Sequence, residues 1–115
     1  MLLSLQERLA AIDPAPKKIT AAEAAAEKAQ HECFVIDVRE PSEHASSPAK
    51  GAINIPRGLL EMKILELVTD PGATIILHCA SGARAMLAAE QLAKMGYQDV
   101  AVMSCDIPTI QKAFN

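Results

Sequence analysis

Two nearly continuous runs of β-forming residues constrain this chain most, Cys33 to Val38 (CFVIDV) and Ala73 to Cys79 (ATIILHC). A strand that is apolar on both faces has to be covered on both faces, as in the parallel sheets of α/β proteins. Helical stretches fall between the strand candidates, so the pattern predicts a small, mostly parallel sheet flanked by helices on both faces. With 115 residues, one compact domain can bury a core without staples. There is no Trp, one Tyr and two Phe, so that core is aliphatic.

The remaining elements follow from local signals. Residues 2–11 suit a short helix, and Asp13-Pro14-Ala15-Pro16 stops it. Its Leu2, Leu5 and Leu9 could pack back on the domain or form a dimer face; packing back is the ordinary outcome. Residues 1–17 are thus expected as a helical extension, and residues 18–115 as the domain proper. Lys18-Ile19 suits an edge strand. Thr20 and Glu23 form a capping box for a helix ending near Gln30. A helical turn is expected at Ser42–Ala45, a short strand at Ala52–Ile55 and a helix over Leu59–Val68. Asp70-Pro71-Gly72 is a turn. A helix over Met86–Met95 ends at Gly96, with Tyr97 able to pack back on it. Val100–Met103 is the last strand. Asp106 caps a final helix with Pro108 in its first turn.

Several functions are disfavoured at this level. The formal net charge is −3 and no basic run exceeds Lys17-Lys18, so no nucleic-acid partner is expected. No apolar stretch is long enough for a bilayer, and Met1 to Ala11 lacks the pattern of a signal peptide, so no membrane association and a cytoplasmic location are expected. The three cysteines, Cys33, Cys79 and Cys105, are odd in number and argue against a disulfide framework. No glycine-rich nucleotide loop is present, and His31-Glu32-Cys33 has no second ligand pair, so neither cofactor nor metal is expected.

The chemistry concentrates in Thr74 to Ala88 (TIILHCASGARAMLA). A buried strand ends at Cys79, a tight loop of small residues follows, and Arg84 opens a helix. Ligands of open α/β sheets bind at the carboxyl ends of strands. Ala80, Ser81, Gly82 and Ala83 let the backbone curl around one point, with Gly82 free to adopt a left-handed conformation. Such a loop aims its N–H groups inward as an anion nest, and the following helix adds its positive end. Arg84 adds a fixed charge and a bidentate fork for an oxyanion. All three favour a thiolate nucleophile at Cys79.

Here the chain resembles the rhodanese family. Cys79 to Arg84 (CASGAR) fits that family's C-x-S-G-x-R loop, Val35 to Glu40 its strand ending in D-V-R, and Gly51 to Pro56 its G-A-I-N-I-P segment. Gly96-Tyr97 followed by Val100 fits the stretch after its active-site helix. The resemblance covers roughly residues 18–115. It implies a thiosulfate sulfurtransferase that moves sulfane sulfur through a Cys79 persulfide. The donor would be thiosulfate or another persulfide, the acceptor cyanide, a small thiol or a protein, and the enzyme a monomer or homodimer. It further implies that loop residues 80–83 and Arg84 hold the donor, and that Asp37 and Arg39 fix the loop from below.

Other readings stay open. A non-catalytic binding module is one. A phosphatase or arsenate reductase is another, opposed by a loop of four residues between Cys79 and Arg84, one fewer than tyrosine-phosphatase loops have. Ser104-Cys105-Asp106 stands where the family often has a glycine pair, so Cys105 is either a space-filling residue or a relay thiol beside Cys79. Ser46-Ser47 replaces a glycine-histidine pair and would alter the pocket rim. Cys33 is expected as an inert core thiol, His78 as structural, His44 as a surface or helix-end residue, and Arg57 at the pocket mouth.

Overall fold

A computed structural model describes residues 1–115. Its five strands are β1 Lys17–Ile19, β2 Cys33–Asp37, β3 Ile53–Asn54, β4 Thr74–His78 and β5 Asp99–Met103. They form one all-parallel sheet in the order β1-β5-β4-β2-β3. The helices are α1 Leu5–Ala10, α2 Ala21–Gln30, α3 Pro41–Ser46, α4 Leu60–Leu67, α5 Ala83–Met95 and α6 Ile107–Phe114, with a 3-10 turn at Arg57–Leu59 before α4. No helix is long and apolar enough to cross a membrane.

Strand β4 sits at the centre and is buried at every residue. Successive side chains on a strand face opposite ways, and this divides the core in two. Ile75, Leu77 and Cys79 join Ile36, Val38, Leu60, Ile64 and Leu92 beneath α4 and α5. Val35, Ile76, Ala101 and Met103 join Ala21, Ala24 and Ile110 beneath α2 and α6. The sheet is therefore covered on both faces, as its unalternating strands require.

Local chemistry sets the helix ends. Thr20 and Glu23 form the expected capping box on α2, and Asp106 accepts from the Thr109 N–H at the start of α6. Gly96 closes α5 at φ +108°, a conformation that favours glycine. Tyr97 then folds back and its hydroxyl donates to the Val68 carbonyl at 2.7 Å.

Several element bounds differ from expectation. The first helix is Leu5–Ala10 rather than 2–11, because a Ser4–Glu7 capping box starts it later. The second strand shrinks from Ala52–Ile55 to Ile53–Asn54, since only Ile36 and Asp37 of β2 pair with it. Helix α4 spans Leu60–Leu67, its expected first residue being taken up by the 3-10 turn. Helix α5 begins at Ala83, three residues before Met86, because Gly82 supplies its cap. The extension packs back: Arg8 on α1 pairs with Glu90 on α5, and Ile12 is buried. Leu2 and Leu5 remain exposed. The division expected between residues 17 and 18 falls inside β1, whose three residues pair with Ala101 to Met103 of β5.

Candidate active site

Cys79 follows the last residue of β4, and its side chain is fully buried on the α5 face. The chain turns at once through Ala80 to Gly82, and Gly82 takes φ +94°. A Cβ there would meet no atom within 4 Å, so the glycine is required by its backbone angle and not by space. The turn brings the Gly82 N–H to 3.1 Å and the Ala85 N–H to 3.4 Å from Cys79 Sγ. Two orphan amides at the start of a 13-residue helix thus point at one sulfur. They favour negative charge on it, and the helix dipole adds to them.

Arg84 lies in the first turn of α5, but its fork is engaged. Its Nη1 and Nη2 donate to Oε1 and Oε2 of Glu43 on α3, at 2.7 and 3.0 Å. Both side chains are about one-third exposed. Hydrogen bonds from Arg84 hold the Glu43 carboxyl down to about 2, and the same contact raises Arg84. The Glu43 carboxylate also accepts from the Glu40 N–H, which fixes it at the helix start. Arg84 thus stands beside the loop as expected, with its fork paired to a partly exposed carboxylate.

Asp37 and Arg39 form the base of the site. The guanidinium donates through Nε and Nη2 to the Asp37 carboxylate at 2.8–3.1 Å, and both side chains are buried. Arg39 also donates to Oγ and the carbonyl of Ser47, at 3.0 and 2.8 Å. The Val38 N–H donates to the His78 carbonyl, one residue before the nucleophile, at 3.0 Å. Asn54 Nδ2 donates to the carbonyls of Asp37 and Arg39. The D-V-R turn is thereby tied to β4, β3 and α3 together. Burial disfavours the Asp37 charge, but the hydrogen bonds from Arg39 and His44 outweigh it and hold its carboxyl below the ordinary range.

The other cysteines and histidines have separate surroundings. Cys105 Sγ accepts from the Ala21 N–H at 3.4 Å and packs with the α2–α6 cluster, while Cys79 belongs to the α4–α5 cluster. The two thiols therefore have different packing partners. Cys33 is half-buried, packs against the edge of the α2–α6 cluster beside His31, and burial pushes its thiol up. His44 lies in the last turn of α3, as expected, and its Nδ1 is 2.9 Å from Asp37 Oδ2. His78 is fully buried, and neither ring nitrogen has a partner. Burial lowers it, so the ring is neutral. Arg57 pairs with Glu61 at 2.8 Å and does not line either hollow beside the loop.

Those hollows flank residues 80–83. One, of about 460 Å³, lies between Ala80, α3 with Ser47, and Ile107. The other, of about 370 Å³, lies between Ser81–Ala83 and the N-terminal extension. Ser46 and Ser47 line the first hollow, as expected of the pocket rim; the sequence reading missed Glu43 and Asn54. Asn54 carried a signal, a polar side chain inside an otherwise apolar segment; the partnership of Glu43 with Arg84 spans 41 positions and had none.

Residues 20–113 match the family model described as the Rhodanese-like domain. The chain belongs to the rhodanese-like family. A thiosulfate sulfurtransferase, PspE, from Escherichia coli is 37% identical over 65 residues, which are 56% of this chain and 62% of that relative's length. A solved E. coli rhodanese with bound anions is 32% identical at a TM-score of 0.63, covering 69% of this chain and 92% of its own. A Rhodopseudomonas palustris protein, described as of unknown function and a possible tyrosine phosphatase, superposes at a TM-score of 0.78. It covers 98% of this chain and 92% of its own. At 23% identity it shows a shared fold alone. The rhodanese-like match begins at Thr20, so residues 1–19 lie outside it.

Proposed function

We propose that this rhodanese-like chain is a sulfurtransferase that carries sulfane sulfur on Cys79. The observation that carries this reading is the convergence of the Gly82 and Ala85 amides on Cys79 Sγ at the end of a buried strand. The Cys79 thiolate attacks the outer sulfur of a donor such as thiosulfate. The donor's S–S bond breaks, sulfite leaves with the bonding pair, and Cys79 holds a persulfide. An acceptor thiolate or cyanide then attacks the terminal sulfur, and the Cys79 thiolate is regenerated. The two fixed amides stabilise the Sγ thiolate that attacks the donor and that returns after transfer. Because Glu43 engages Arg84, the donor's oxyanion meets the loop amides of residues 80–83 before it meets the guanidinium. Asp37 and Arg39 act as positioning residues through the turn they fix.

The test is intact mass after incubation of reduced protein with thiosulfate. The expected result is a gain of one sulfur atom, removed by cyanide, retained in Cys105→Ser and absent in Cys79→Ser. No gain from thiosulfate or inorganic polysulfide would refute the reading and leave a binding module.

A further inference from the structure

The hollow of about 370 Å³ beside the loop is built by two parts of the chain with different origins. Its floor is Ser81–Ala83, and Gly82 in that floor donates to Cys79 Sγ. Its wall is the N-terminal extension, which the family match leaves out: Leu9 and Ile12 face it, together with Met86 of α5. The wall is fixed in place. Arg8 pairs with Glu90, Ile12 is 5% exposed, and β1 anchors the end of the extension in the sheet.

Charge distinguishes this hollow from the one on the other side of the loop. There, Arg39 is neutralised by Asp37, and Glu43, which pairs with Arg84, forms part of the lining. Here, Lys18 lines the space, is exposed, and forms no salt bridge. An apolar wall with one uncompensated cation beside a sulfur-carrying loop suits an organic sulfur compound with an apolar body and an anionic group.

Building on the persulfide reading of Cys79, we propose that this hollow is the acceptor site, and that it takes a small organic thiol bearing a carboxylate. The apolar body lies against Leu9, Ile12 and Met86, and the carboxylate meets Lys18. The acceptor thiolate attacks the terminal sulfur of the Cys79 persulfide. The S–S bond to Cys79 breaks, the product leaves as an organic persulfide anion, and Cys79 returns as thiolate. The extension therefore acts as the specificity-determining part of the enzyme.

The experiment loads Cys79 with thiosulfate or inorganic polysulfide, removes excess donor, and measures single-turnover transfer to two probes. These are 4-mercaptophenylacetate and its neutral amide, which share one aryl thiol and differ in charge. Wild type is expected to favour the acid by about three- to fivefold, the worth of one partly exposed charge contact. Lys18→Gln brings the ratio close to one, and Lys17→Gln, whose side chain borders a different hollow, keeps it. Leu9→Ala slows the aryl probes relative to 3-mercaptopropionate. A ratio near one in wild type, or one unchanged by Lys18→Gln, overturns the acceptor site and leaves the persulfide chemistry standing. Failure of Cys79 to load at all overturns the persulfide reading itself.

Discussion

Removing the Asp37 carboxylate tests the base of the site most directly. In Asp37→Ala, the Arg39 guanidinium keeps only its bonds to Ser47 and stays buried, its side chain 3% exposed. Breaking one side of a buried pair leaves an uncompensated charge and costs about 3–5 kcal/mol. Domains of this kind hold about 5–15 kcal/mol in total, so the loss is a large fraction of stability. At roughly 4 °C per kcal/mol for a chain of this size, Tm falls by about 12–20 °C. Since the chain has no Trp, urea unfolding followed by far-UV circular dichroism is the suitable assay. The double variant Asp37→Ala/Arg39→Met removes the stranded charge and is expected to be more stable than Asp37→Ala alone. A loss below about 1 kcal/mol in the single variant, or strictly additive losses in the double, would refute a strongly coupled buried pair.

Further predictions concern single residues. Glu43→Gln releases the Arg84 fork and is expected to lower the KM for thiosulfate by about three- to tenfold, read from steady-state cyanolysis. The depressed Glu43 carboxyl contributes stability that is full above about 4.5 and is lost as pH falls through about 2. At this exposure that contribution is below about 1 kcal/mol, so acid melts of wild type and Glu43→Gln differ little. Gly82→Ala forces an L side chain into φ +94°; a destabilisation of about 1–2 kcal/mol in denaturant melts and slower persulfide loading are expected. His78 is lowered by burial, so the unfolded chain takes up its proton first and stability falls as pH drops below about 6.5. His78→Leu removes two unpartnered nitrogens. It is expected to be neutral or stabilising and to flatten the pH dependence of Tm over that window.

The fold was legible wherever one segment carried its own signal. The apolar runs became β2 and β4, the Thr20–Glu23 box opened α2, and Gly96 closed α5. The Cys79 loop was legible for the same reason: strand, small residues and helix start are contiguous, and the left-handed angle expected at Gly82 is present. Long-range pairing was not legible. Nothing near Arg84 announces Glu43, and nothing near Cys105 announces the Ala21 amide that holds its sulfur. Asp37 and Arg39 were expected below the loop from the family resemblance, but the parts played by Ser47, His44 and Asn54 depend on three elements meeting at one turn.

The position of β1 has a consequence for assembly. It is the first strand in the chain, yet its only sheet partner is β5, with Lys17 opposite Ala101. During synthesis it emerges early and stays unpaired until almost all of the chain has followed. Closing so long a loop is entropically slow compared with the β2–β4 pairing at the centre. The nucleophile's own strand, loop and helix can therefore come together while the N-terminal wall is still unattached. A stalled or C-terminally clipped chain lacking β5 would lose the sheet anchor of that wall and keep only contacts such as the Arg8–Glu90 pair to hold it beside the Cys79 loop.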